Sequence, residues 1–200
     1  MLEKESQDSS LRLVVGLGNP GRRYMGTRHN MGFLVLGELA RCYGHSSPRE
    51  KFQGELVEGR VGNSKVLFLV PATYMNESGR SVLAARDFYN VPLESILIVC
   101  DDISLPLAQL RVRRGGSSGG QKGLGDIIRR LGTDQIPRLR IGVGAPPPRW
   151  DVADYVLSQF TKQELPEIEQ AVIRAAEAVT VWVNDGLAVC MNRYNRGAEC

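Results

Sequence analysis

Three short apolar runs constrain this chain more than any other feature: residues 11–15 (LRLVV), 66–70 (VLFLV) and 96–99 (ILIV). Each is rich in branched residues and stops at a glycine, a proline or a pair of acids, so each reads as a strand. Apolar runs without alternation belong to strands covered on both faces, as in parallel sheets. Between them the pattern turns helical. Phe33, Leu34, Leu36, Leu39 and Ala40 share one face of a helix over 31–43, with Gly44 as its C-cap, and a second helix is expected near 80–89. A hairpin-like piece pairs 52–57 with 66–70 around Gly62-Asn63-Ser64. A short basic stretch (110–114), a helix (124–131) and a strand (138–143) follow. A short piece (152–157), helical or extended, then leads to a long helix over 162–185 and a polar tail. This alternation predicts an α/β fold: a three-layer sandwich with a twisted mixed, mostly parallel sheet flanked by helices.

The 200 residues suit one domain with a real core, taken as 11–200 behind a polar, disordered lead at 1–10. That lead, MLEKESQDSS, lacks the apolar stretch of a secretory signal and is acidic rather than Arg-rich. No run approaches the roughly 20 apolar residues a membrane span needs. Cys42, Cys100, Cys190 and Cys200 show no C-x-x-C spacing and read as reduced thiols of a cytoplasmic protein. The two histidines stand far from any cysteine pair, which argues against zinc. A net charge of +3 says little about a polyanionic partner by itself. The placement says more: Arg111, Arg113, Arg114, Arg129, Arg130, Arg138 and Arg140 surround a glycine-rich loop, GGSSGGQKG, at 115–123.

In such sheets ligands bind beyond the carboxyl ends of strands. Three loops leave those ends: 16–30, 71–79 and 100–105. The first begins GLGNPG, a match to the dinucleotide fingerprint G-x-G-x-x-G. That site needs the motif to open a helix and an acid to end the next strand. Pro20 and Gly21 start a helix poorly, and Glu38 falls inside a helical pattern. The motif therefore reads as a glycine-rich turn. Taken singly, the polar residues of these loops also have ordinary readings. His29 is a structural or surface histidine, and Asn76 a helix cap. Asp101-Asp102 and Asn19-Pro20-Gly21 are turns.

Taken in order, the motifs GLGNPG…Y…TRHN, TYMN.SG, DD.SLP, GG.SGG.KG and RLRIGVG resemble bacterial-type peptidyl-tRNA hydrolase over about residues 11–195. The resemblance implies a monomeric enzyme that hydrolyses the ester joining a peptide to the 3′-terminal ribose of tRNA. It thereby rescues tRNA from prematurely released peptidyl-tRNA. No cofactor, metal, DNA or membrane partner is implied. Histidine titrates near neutral pH, which suits a base that activates water. By the resemblance His29 is that base, and Asp101 is the carboxylate that orients it, with Asp102 its immediate rival. Asn76 contacts the attacking water or the developing oxyanion, Asn19 lies close to the scissile ester, and Tyr24 helps bind substrate. No serine or cysteine nucleophile fits the pattern, so water attacks directly. Arg111, Arg113 and Arg140 match positions implicated in contact with the tRNA backbone or 5′-phosphate. The other reading of that cluster is a solvated basic face.

The chain departs from the commonest family pattern where a His-Asn pair is usual. It carries Gln121-Lys122 there, and Ser118 where a histidine often sits. Lys122 lacks the paired donor and acceptor of an asparagine. It is expected to place a cation near the peptide or the tRNA 3′ end. Ser104 replaces a frequent second aspartate after the DD pair. A different class of reading, an RNA-binding factor that has lost the reaction, is disfavoured by the intact His, Asp and Asn set.

Overall fold

The computed structural model describes residues 11–195; the lead at 1–10 and the last five residues, including Cys200, lie outside them. Its strands are β1 (Arg12–Gly16), β2 (Arg49–Lys51), β3 (Gly54–Val61), β4 (Ser64–Pro71), β5 (Ile96–Asp102), β6 (Leu110–Arg113) and β7 (Arg138–Gly142). Its helices are α1 (Met31–Tyr43), α2 (Ser78–Tyr89), α3 (Lys122–Leu131), α4 (Val152–Leu157) and α5 (Leu165–Tyr194). The strands form one sheet in the order β2-β3-β4-β1-β5-β7-β6. The central four, β4, β1, β5 and β7, pair in parallel. β2, β3 and β6 at the margins pair antiparallel.

Leu13, Val15, Leu67, Leu69, Ile96 and Ile98 point to one face and pack with Val82 of α2 and Leu124 and Ile127 of α3. Val14, Val66, Phe68, Leu97 and Val99 point to the other and pack with α1 and α5. Because both faces are covered there, residues 13–15 of β1, 66–70 of β4 and 96–100 of β5 are apolar at every position. Each fully buried leucine or valine contributes about 1.5–3 kcal/mol relative to leaving it in water.

The first loop is a closed excursion. A Cβ on Gly16 would lie 2.3 Å from the Gly32 carbonyl oxygen, and one on Gly32 would lie 2.2 Å from the Leu17 nitrogen. The start of α1 therefore rests directly on the end of β1, which only glycine allows. GLGNPG opens no α-helix: a single 3₁₀ turn, Arg22–Tyr24, follows it, and α1 begins only at Met31.

Three elements differ from expectation. β3 starts at Gly54, because Phe52 and Gln53 form the tight turn after β2, with φ of 55° and 53°. Neither is a usual residue for a left-handed turn, which hid the hairpin. β5 runs on to Asp102, so both acids lie in the strand rather than in a loop. α5 does not end at Asp185: Gly186 breaks it at φ 85°, and a second segment continues to Tyr194. That segment buries Cys190 and Tyr194. The Asn195 side chain then accepts from the Val112 N–H at 2.7 Å and donates to its carbonyl at 2.9 Å. This side-chain pairing shields part of the edge strand β6.

Candidate active site

β1 lies between β4 and β5, and the chain leaves these three parallel strands at the same end of the sheet. A cavity of about 770 Å³ opens there. Asn19 and His29 line it from the first loop, Tyr74, Met75 and Asn76 from the second, and Asp101 to Ile103 from the end of β5. Gly119 to Lys122 and Arg140 form a polar wall, and Val152, Ala153, Val156 and Leu157 of α4 an apolar one.

Strand alternation separates the two acids. Asp102 shares a face with Cys100 and, through the register, with Arg140 of β7. It meets Arg140 Nε at 2.9 Å and accepts from the backbone and hydroxyl of Ser104 at 2.9 and 2.7 Å. The Arg140 N–H is not aimed at the oxygen, so this contact is an ion pair without a hydrogen bond. Asp101 faces the other way, toward the short 3₁₀ turn Arg28–Asn30 ahead of α1. Its Oδ2 lies 2.7 Å from His29 Nδ1. Both side chains are buried. An ionised carboxylate only accepts, so Nδ1 carries the proton, and in the neutral ring Nε2 then keeps its lone pair. The ring can then accept a proton from a molecule in the cavity.

Asn19 joins the first two loops. Its N–H and carbonyl pair with the Asn30 side chain at 2.9 and 3.0 Å, and its Oδ1 accepts from the Met75 N–H at 2.9 Å. With Oδ1 committed, its NH₂ group is the free donor at the cavity wall. Asn76 follows Met75 in the turn Met75–Glu77 and caps no helix, since Glu77 holds the N-cap position of α2. It stands exposed on the cavity.

A second carboxylate contact comes from Gln121, at the N-cap of α3. Its Nε2 donates to Asp101 Oδ1 at 3.0 Å while its Oε1 accepts from the Leu124 N–H at 2.7 Å. Beside His29, Arg28 is buried and spans to the far wall. It pairs with Glu164 at 2.8 Å, donates to the Val143 carbonyl at 3.2 Å, and lies 4.6 and 4.7 Å from the Tyr155 and Phe160 rings. The residue next to the histidine thus ties down the segment that bears α4.

A family model described as peptidyl-tRNA hydrolase matches residues 13–199. The chain is 55% identical over 185 residues to the peptidyl-tRNA hydrolase of Rhodopirellula baltica, covering 92% of this chain and 97% of that protein. The chain belongs to the peptidyl-tRNA hydrolase family. The peptidyl-tRNA hydrolase of Chloroflexus aggregans is 46% identical over 92% of this chain and 98% of its own. A crystal structure of the Acinetobacter baumannii peptidyl-tRNA hydrolase matches the fold with a TM-score of 0.87 at 36% identity, covering 94% of this chain and 96% of that one. As a member of the peptidyl-tRNA hydrolase family, this chain is an enzyme of the hydrolase class.

Of the residues singled out from sequence, Asn19, His29, Asn76, Asp101, Lys122 and Arg140 line the cavity. Tyr24 does not: it is half-buried in the turn Arg22–Tyr24, with the Arg23 guanidinium 4.5 Å from its ring. Arg111 and Arg113 lie outside it too, on the edge strand β6. The basic cluster also divides. Arg138 is buried and donates to the Gly116, Asp134 and Ile136 carbonyls, while Arg129 and Arg130 pair with Asp126. Arg138 and Arg130 brace the fold, whereas Arg113, Arg114 and Arg129 are exposed, so the solvated-face reading fits those three. Sequence reasoning missed Arg28, Asn30 and Gln121. The available signal was three polar residues in a row, R-H-N, directly before an apolar helix.

Proposed function

We propose that this chain hydrolyses the ester between the peptide and the terminal ribose of peptidyl-tRNA, with water activated by His29 and no covalent intermediate. The observation that carries the reading is the buried His29–Asp101 contact at 2.7 Å, which leaves Nε2 as a base at the cavity. Water attacks the carbonyl carbon as its proton passes to Nε2. Asp101 holds the ring in the required tautomer and stabilises the imidazolium. The imidazolium then returns the proton to the departing ribose oxygen. The Asn76 and Asn19 amides supply donors for the oxyanion and the ester, a type of contact worth about 2.7–4 kcal/mol in the transition state.

Direct attack by water is supported by the cavity wall, which carries no serine, threonine or cysteine among the described residues. Cys100, next to Asp101 in sequence, is fully buried. Burial first, and then the Asp101 charge, push its thiol up to about 12, so it stays a thiol at neutral pH. The apolar wall of α4 suits the peptide. Lys122 and Arg140 on the opposite wall, with Arg111 and Arg113 beyond it, suit the tRNA backbone. Tyr24 is assigned to the substrate outside the cavity.

The test is deacylation of N-acyl-aminoacyl-tRNA by the purified protein and by His29→Ala. The variant is expected to lose about 10²–10⁴-fold in kcat, the range for a general base. Undiminished turnover by the variant would remove His29 from the mechanism.

A further inference from the structure

We infer that Gln121 is a positioning residue of this site, whose amide holds Asp101, and through it the ring of His29, while its carbonyl caps α3. The inference rests on the hydrolytic reading above. It comes from the hydrogen-bond geometry of one side chain 7% exposed to solvent.

The orientation of the amide is fixed. The Leu124 N–H can only donate, so the group 2.7 Å from it is Oε1. The NH₂ end therefore faces Asp101 Oδ1 at 3.0 Å. Reversing the amide would set donor against donor at Leu124 and acceptor against acceptor at Asp101. With His29 on Oδ2 and Gln121 on Oδ1, both carboxylate oxygens are anchored. The torsion of an aspartate carboxylate about its last bond is otherwise soft. With both oxygens engaged as acceptors, the contact with His29 is made through an Nδ1 proton, and Nε2 faces away from the carboxylate.

The same amide approaches Met75 Sδ at 3.3 Å, next to Asn76. Glutamine is an uncommon N-cap; serine, threonine, aspartate and asparagine are preferred there. Those shorter side chains would cap α3 but stop short of Asp101. The requirement for reach explains the residue. The other charged groups facing the cavity are Asp102 of β5, Arg140 of β7, Lys122 of α3 and Asp151 ahead of α4.

Two variants separate positioning from capping. Gln121→Ser keeps a good cap without charge and cannot reach Asp101. Gln121→Glu keeps the acceptor at Leu124 and sets a carboxylate where Asp101 had a donor. Each is assayed for deacylation of N-acyl-aminoacyl-tRNA across pH and for thermal unfolding. The ring of His29 is titrated by NMR, with His45, exposed and outside the cavity, as reference.

Both variants are expected to unfold near the wild-type temperature. Their kcat should fall about 10–100-fold, the usual effect of removing an outer hydrogen-bond partner, with KM little changed. In Gln121→Glu the acid limb of kcat/KM should move up by about one pH unit, because added negative charge favours the imidazolium. The His29 titration should move with it while His45 stays in place. Wild-type kcat and pH profile in both variants would reduce Gln121 to a cap and overturn the inference. So would a loss of activity matched by a loss of folded protein. If Gln121→Glu does not fold, Gln121→Ser decides alone. Failure of the hydrolytic reading looks different: wild type would leave the ester intact, or His29→Ala would match it, whereas the NMR shift reports the contact without substrate.

Discussion

The loop that leaves β1 and the loop that enters α3 are both rich in glycine, and they use it in opposite ways. In the first, Gly16 and Gly32 admit backbone contact where no Cβ fits, and Asn19, Thr27, Arg28, His29 and Asn30 between them form a cluster of buried polar groups. In the second, Gly116, Gly119 and Gly120 take φ of 116°, 60° and 85°, and Gly119 and Gly120 are exposed. That loop is propped from below by Arg138 and Arg140, which donate to its carbonyls. In the proposed reaction, the chemistry that depends on a proton held at one atom belongs to the packed loop, and contact with a large, variable substrate to the open one. Gln121, at the end of the open loop, is where the two meet.

Substitutions that strike the packed side should cost the most. Asp101→Asn removes the acceptor that sets the His29 tautomer, and kcat is expected to fall roughly 10³–10⁴-fold in the deacylation assay. Asp102→Asn faces Arg140 and Ser104 instead, and its effect on kcat should be far smaller. Equal losses in the two variants would mean that strand alternation does not divide the roles of these acids.

Glycine substitutions sharpen the same contrast in stability. Gly32→Ala places a Cβ 2.2 Å from the Leu17 nitrogen and 2.5 Å from the Val99 carbonyl oxygen, all of it backbone. A loss of about 3 kcal/mol or more is expected in urea unfolding, at the upper end for overpacking because no side chain can yield. At Gly120 a Cβ meets nothing within 4 Å, and only the positive φ opposes it. Gly120→Ala should cost about 1–2 kcal/mol.

The packed half of the molecule was the more legible in the sequence. Unbroken apolar runs fixed β1, β4 and β5, because residues buried on both faces leave no polar positions to confuse the pattern. The loops at their carboxyl ends then followed from the general place of ligand sites in such sheets. The choice between Asp101 and Asp102 depended on how far β5 extends, which a polar strand end conceals. The arginines were less legible, since spacing cannot tell a guanidinium that satisfies buried carbonyls, as Arg138 does, from an exposed one such as Arg113. Gln121 was hidden because a glutamine beside a glycine-rich loop has no characteristic chemistry until its two partners are placed in space.

The Arg28–Glu164 pair links the packed loop to the segment that follows α4, and pH tests the link. Burial opposes ionisation of Glu164. The Arg28 hydrogen bond, bonds from the Thr161 backbone and hydroxyl, and the Arg28 charge outweigh it, so the carboxyl is held below its ordinary value of 4.5. A folded value below the unfolded one stabilises the protein above the unfolded value, and that contribution is lost as pH falls through the folded value. Glu164→Gln should therefore cost about 1.5–3 kcal/mol at pH 7, the worth of a hydrogen bond to a charged group. The gap from wild type should narrow as both are titrated into acid. A gap that stays constant to low pH would show that the pair contributes through packing of Arg28 against Tyr155 and Phe160 alone.

The smallest effect on chemistry is expected at the open edge. Arg113 is exposed on β6 and does not line the cavity. Arg113→Glu should leave kcat near wild type and raise KM for a tRNA substrate several-fold at low salt. Each lost phosphate contact reduces the slope of log affinity against log salt by about 0.7–0.9, so KM should also become less sensitive to salt. On a minimal ester lacking the tRNA body, the variant should behave as wild type, because nothing in the cavity has changed. The contrast with Asp101→Asn is the decisive comparison. One substitution should abolish turnover on both substrates and the other should weaken only the substrate that carries phosphates. Equal loss on both substrates in Arg113→Glu would remove the edge strand from substrate binding and leave the cavity to account for recognition by itself.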